Sequence, residues 1–159
     1  MVGSLLIAGL ALALFVVALI AVRSGERRRE SRRRLAAQQF AETRAALAPE
    51  FLAAASATGK PRGLRWKSCE LDGPILFAVD RRSDDLCALS RVTISFEAIA
   101  GGPMEDVEAV GNLRLGTAVF VDRQGRWTTD GRAVFNLDPA GTIAHFGDAL
   151  DLWTPTTSS

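Results

Sequence analysis

Residues Arg91 to Ala98 read RVTISFEA, and the period of that short stretch decides the fold. Val92, Ile94, Phe96 and Ala98 alternate with Arg91, Thr93, Ser95 and Glu97. A two-residue period of apolar and polar side chains marks an antiparallel strand with one face on a core and one in water. Just upstream, Cys87 and Leu89 fall on the opposite parity, so the spacing predicts a bulge near Ser90 or Arg91.

Working outward, the neighbouring segments read as further strands. Leu64–Glu70 (LRWKSCE) is an expected strand with Leu64, Trp66 and Ser68 on one side, Asp72-Gly73-Pro74 a turn, and Ile75–Asp80 (ILFAVD) a second strand. Downstream, Ala100-Gly101-Gly102-Pro103 is a turn. Val107, Ala109, Gly111, Leu113 and Leu115 then alternate with polar residues, in a strand that continues past Gly116 to Val121. Asp122–Gly125 suits a hairpin loop in which Gly125 supplies a positive φ. Trp127 to Leu137 completes the sheet, with Asp130-Gly131 as a competing turn signal. Asp138-Pro139 is a helix start, a capping Asp followed by Pro at the first helical position. A short helix follows to about Phe146, and TPTTSS at 154–159 is an expected disordered tail.

Upstream, Glu26 to Thr58 is rich in good helix formers. Ala36, Phe40, Leu47, Phe51 and Ala55 recur close to helical spacing, with Arg44 interrupting the stripe. Pro49 predicts a break into helices over 26–47 and 49–57. Gly59-Lys60-Pro61-Arg62-Gly63 ends helical structure. The expected class is therefore α+β: a helical connector packed on a meander of four or five antiparallel strands, closed by a short helix. Over roughly residues 35–150 this resembles the cystatin or nuclear-transport-factor-like arrangement. The resemblance is one of fold, and fold does not carry function.

The chain begins with an uncharged stretch, Val2–Val22 (VGSLLIAGLALALFVVALIAV), whose 21 residues reach about 31 Å as a helix. Seven arginines follow: Arg23, Arg27, Arg28, Arg29, Arg32, Arg33 and Arg34. This pattern predicts an uncleaved transmembrane helix over 1–22 with a basic collar over 23–34. By the positive-inside rule, the N-terminus lies outside and the remainder lies at the cytoplasmic face of the inner membrane. The collar serves as the topology signal, with recruitment of anionic lipid as the sharper alternative. The segments beyond are a connector over 35–58 and a domain over 59–153. Residues 1–67 carry 12 Lys+Arg and 4 Asp+Glu, against 7 and 14 over 68–159. An acidic domain is a poor partner for a phosphate backbone, so nucleic acid is not expected. The lipid bilayer and a membrane or cytoplasmic protein are.

No residue constellation announces chemistry. His145 is the one histidine, too few for a zinc site. Cys69 and Cys87 form no Cys-x-x-Cys pair and are expected to be reduced in the cytoplasm, with strand adjacency offering a disulfide if the topology is reversed. Asp106 and Glu108 would share the polar face of one expected strand, as a cation or acid–base pair or, more simply, as a solvated edge. Asp80, Asp84 and Asp85 crowd a loop with Arg81 and Arg82, which reads as surface ion pairing. Phosphate loops, dinucleotide fingerprints and nucleophile elbows are absent from the sequence. No catalytic residue, metal or cofactor is expected. The favoured function is a non-enzymatic interaction or assembly domain. The alternative is a cone-like pocket for an apolar ligand lined by Trp66, Phe96, Trp127 and Phe135.

Overall fold

In the computed structural model the alternating stretch is the second half of β2 (Leu86–Ala98), the middle strand of an antiparallel sheet. Residues 2–59 and 61–155 are described, with 2–11 described as helix only. The elements run α1 (Val2–Thr58), β1 (Leu64–Asp80), β2, a 3-10 turn (Glu108–Gly111), β3 (Arg114–Asp122), β4 (Trp127–Thr128), β5 (Ala133–Phe135), α2 (Pro139–His145) and β6 (Leu150–Trp153). Neighbouring strands are ordered β4-β3-β2-β1-β6, and β5 also pairs with β3. The class is α+β, with a long N-terminal helix and six strands. The chain divides into a unit Met1–Leu35 and a unit Ala36–Ser159.

The first unit corrects the reading of Val2–Val22. Among the described residues, no helix is long and apolar enough to cross a membrane. The described apolar run, Leu12–Val22, meets Arg23 after eleven residues. At about 1.5 Å per residue it reaches roughly 16 Å, half of a hydrocarbon core. The side chains of residues 2–11, which supply the rest of the expected span, lie outside the described residues. The transmembrane helix, the single-pass inner-membrane placement with the domain in the cytoplasm, and the bilayer as a partner are therefore not carried forward. Of the expected tail at 154–159, residues 156–159 also lie outside the described residues.

In the second unit, the stripe on α1 packs as its spacing predicts. Ala36, Phe40, Leu47, Phe51 and Ala55 are buried in one cluster with Leu86, Ala88, Val92, Ile94, Ala118, Phe120 and Trp127. The expected break at Pro49 does not occur, and α1 runs through it. A proline inside a helix costs about 3 kcal/mol. Phe51 and Leu47 flank it and are buried against the sheet, each side chain stabilising by about 1.5–3 kcal/mol, which offsets the loss. Arg44, the interruption in the stripe, reaches sideways, and its Nη1 donates to the Gly73 carbonyl at 2.8 Å.

The two expected strands 64–70 and 75–80 are one strand. Asp72-Gly73-Pro74 is an irregularity within β1 and not a turn, because Leu71 pairs with Val92 and Ile75 with Ser90. The extra residues lie opposite Arg91, whose guanidinium holds Asp72 (Nη2–Oδ2 3.1 Å). A second irregularity between Trp66 and Ser68 moves Ser68 off the face of Trp66, and its Oγ meets that of Ser95 at 2.6 Å. The predicted bulge near Ser90 thus belongs to β1. β2 itself holds one parity throughout: Leu86, Ala88, Val92 and Ile94 all join the cluster under α1.

Cys87 and Leu89 are apolar because the other face of the sheet is also covered at that end. With Ala78 they form a second buried cluster, closed by Val121, Ile143 and Leu150. Ile143 comes from α2, whose start is as expected: the Asp138 carboxylate accepts the Gly141 N–H at 2.7 Å. Asp138→Ala should remove about 1 kcal/mol of stability, read as a lower urea midpoint with an unchanged slope. After α2, β6 pairs with Phe77–Asp80 of β1, a sixth strand beyond the four or five expected.

The alternation from Val107 to Leu113 does not make a strand. That segment is loop and a 3-10 turn, with Val107 and Leu113 exposed. The hairpin at Asp122–Gly125 forms as predicted, with Gly125 at φ +88° and its N–H donating to Asp122 Oδ1 at 2.8 Å. Asp130-Gly131 proves to be a break between β4 and β5.

Candidate functional site

The four aromatic residues singled out by sequence divide into two places. Trp66 and Phe96 are register partners on β1 and β2, with ring centroids 4.9 Å apart. Phe135 of β5 joins them, 6.3 Å from Trp66 and 6.5 Å from Phe96. The indole of Trp66 donates from Nε1 to the carbonyl of Gly59 at 2.6 Å, which fixes the ring under the C-terminus of α1. Phe135 remains 40% exposed and Ile99 47%. A groove of about 480 Å³ lies elsewhere on this unit, and one of about 470 Å³ lies here, lined by Ser56, Pro61, Arg62, Leu64, Trp66 and Ile99. We term this the aromatic end.

Trp127 is not part of it. Its Nε1 donates to the Ala36 carbonyl at 3.0 Å, and its ring packs 4.8 Å from Phe40 and 6.2 Å from Phe77. The two carbonyls held by the indoles, Ala36 in α1 and Gly59 just past its end, are 23 residues apart, roughly 34 Å along a helix. Trp127 belongs to the core, while its edge borders the other groove beside Gln39, Thr43, Glu50 and Thr129. Trp66, Phe96 and Phe135 are brought together, and the expected four-sided pocket is not assembled from one place.

Asp80, Asp85 and Glu105 of the acidic clusters are bound into local structure. Asp106 and Glu108 lie in loop and 3-10 turn, so the strand face they were expected to share does not form. In the same run, Glu105 accepts the Gly101 N–H at 2.8 Å and closes the preceding turn. Asp80 Oδ1 accepts the N–H groups of Ser83 and Arg82, which hold its carboxyl below the usual range. Asp85 pairs with Arg123, and Arg81 with Asp151 at 2.6 Å, so the loop arginine reaches β6 instead of its own loop. Asp72 is likewise held low, chiefly by its hydrogen bond from Arg91. Among the described residues no group of three His, Cys, Asp or Glu side chains could hold a metal ion. His145 ends α2, exposed, its ring 4.8 Å from that of Phe146.

The basic collar lies on the helix of the first unit. Arg23, Arg27, Arg28, Arg29 and Arg32 are exposed, whereas Arg33 and Arg34 are half-buried. Arg34 Nε donates to Glu30 at 3.1 Å, one helical turn away.

Both cysteines are free. Cys69 faces α1, and its Sγ donates to the Ala48 carbonyl at 3.3 Å. Cys87 lies in the cluster on the opposite face of the sheet. Cys69 pairs with Ile94, seven positions along β2 from Cys87, or roughly 23 Å of strand. A disulfide needs Cα atoms within about 7 Å, so none forms in any compartment. Burial pushes the Cys87 thiol up to about 11, and burial also raises Cys69. At pH 8 the folded chain should therefore react with a thiol reagent slowly at Cys69 and scarcely at Cys87. Both should label rapidly in urea, and intact mass should not change with reductant apart from such labelling.

Comparison of the chain with protein-family models, with curated proteins and with solved structures returns no match.

Proposed function

We propose that the second unit is a protein-assembly module, a binding surface and not a catalyst, which takes an extended protein segment at the aromatic end. One observation carries this reading: Trp66, Phe96 and Phe135 are gathered at one end of the sheet, yet Phe135 and the neighbouring Ile99 stay substantially exposed. Aromatic rings with one side packed and one side open are characteristic of interface anchors. Supporting it, Asp80, Asp85, Glu105 and Asp138 are engaged in turns, a cap and an ion pair, and Asp106 and Glu108 do not share a strand face.

The test is photo-crosslinking in the full chain in its native cells. A photoreactive residue replacing Lys67, beside the aromatic end, should give protein adducts. One replacing Asp84, in the loop at the far end of β1, should give none. A folded chain without adducts at position 67 overturns the assembly reading.

A further inference from the structure

The aromatic end adjoins an unusual feature of the sheet, a long strand edge without a neighbour. β1 pairs with β2 along Leu64–Leu71, but β6 covers its other side only from Phe77 to Asp80. Among the described residues nothing pairs with that side of Leu64–Leu71, and Arg65, Lys67, Ser68 and Glu70 along it are exposed. Alternate residues of such an edge aim N–H and C=O groups outward, a template for another strand. The irregularity at Asp72–Pro74 limits the template, since Pro74 has no N–H and breaks the register.

We infer that the segment taken by this edge is the same strand of a second copy, paired antiparallel about a two-fold axis between Lys67 and Ser68. This rests on the assembly reading and names its partner. The sequence of the edge selects the register. With the axis there, Arg65 stands opposite Glu70 of the second copy, Trp66 opposite Cys69 and Leu64 opposite Leu71. The displacement after Trp66 is what makes the faces agree: Trp66, Cys69 and Leu71 all pack toward α1, while Ser68 lies on the other face. Apolar residues therefore meet apolar ones, and both charge pairs are of opposite sign. Shifting the axis by half a residue sets apolar positions against polar ones along the whole edge. A closed two-fold contact also uses up both edges, which a heterologous contact would leave open to fibre growth.

The experiment uses the full chain and charge reversal. Arg65→Glu and Glu70→Arg each set like charges opposite one another twice, and each should weaken self-association about tenfold or more. Mixing the two variants restores opposite charges at both places, so the mixture should associate like the parent chain. Unchanged association in both single variants overturns the inference. Position is read independently with Arg65→Lys, an equal mixture of ¹⁴N and ¹⁵N chains and a carbodiimide. Glu97, 2.7 Å from Arg65 in the same chain, gives the internal control link. A mixed-isotope peptide joining position 65 to Glu70 supports the pairing. Control links alone overturn it. Lys67 photo-adducts to a different protein, with no such peptide, overturn self-pairing while leaving the assembly reading standing.

Discussion

Gly131→Ala is expected to cost more than about 4 kcal/mol, and in a domain of this size to leave little folded protein. Gly131 is buried at φ +76° where the chain between β4 and β5 crosses α1. A Cβ there would lie 2.1 Å from Ala55 N and 2.5 Å from Ala55 Cα. Those are helix-backbone atoms, with no side-chain torsion to relieve the clash. The helix must move off the sheet, and Phe51 and Ala55 move with it. Gly125→Ala separates this clash from backbone strain. Gly125 has a similar φ, +88°, with nothing within 4 Å of an added Cβ. Its cost is the left-handed conformation alone, about 1–2 kcal/mol. Urea denaturation of both variants checks the pair, and equal costs would mean that α1 is not seated on Gly131.

The same glycine shows how far a sequence can be read. Asp130-Gly131 is recognisable as a turn signal, but the backbone it touches lies 76 residues earlier, at Ala55, and local pattern does not report that. Where one element faces one core, period was enough: Ala36, Phe40, Leu47, Phe51 and Ala55 all lie where their spacing places them. Where two layers act on one strand, it misled. Leu86–Ser90 is buried on both faces, so a change of apolar parity reads as a bulge although the strand is regular. Val107–Leu113 shows the converse, an alternation with no layer to cover it, which stays exposed as loop and turn. β6 is four residues long, too short for a period to register.

The candidate site was legible to a similar degree. Trp66 and Phe96 could be paired from strand order, whereas Phe135 joins them only because β5 folds back along β3. Trp127 carries the same residue type in an equally good strand pattern and ends up in the core, because its indole finds the Ala36 carbonyl. The free edge of β1 depends on β6 covering Phe77–Asp80 and stopping there, a matter of strand length that no residue type encodes.

Phe40→Ala is the second large effect, an expected loss of about 3–5 kcal/mol. The ring is fully buried and touches three others, Phe120 at 5.3 Å, Trp127 at 4.8 Å and Phe77 at 6.1 Å between centroids. Removing it opens a cavity between rigid rings that cannot collapse to fill it, which places the cost toward the upper part of that range. Phe135→Ala removes the same ring from a site 40% exposed, so its stability cost should be about 1–2 kcal/mol, in proportion to the smaller area returned to water. The two substitutions should therefore separate fold from assembly. Phe40→Ala should lower the urea midpoint strongly, and at a denaturant-free temperature where it remains folded its association should match the parent chain. Phe135→Ala should lower the midpoint little, and it should weaken association if the contact reaches across the aromatic end to the open ring, since β3 and β2 separate β5 from the free edge of β1. A Phe135→Ala chain as stable and as associated as the parent would remove the aromatic end from the interface, and the free edge of β1 would then have to act without it.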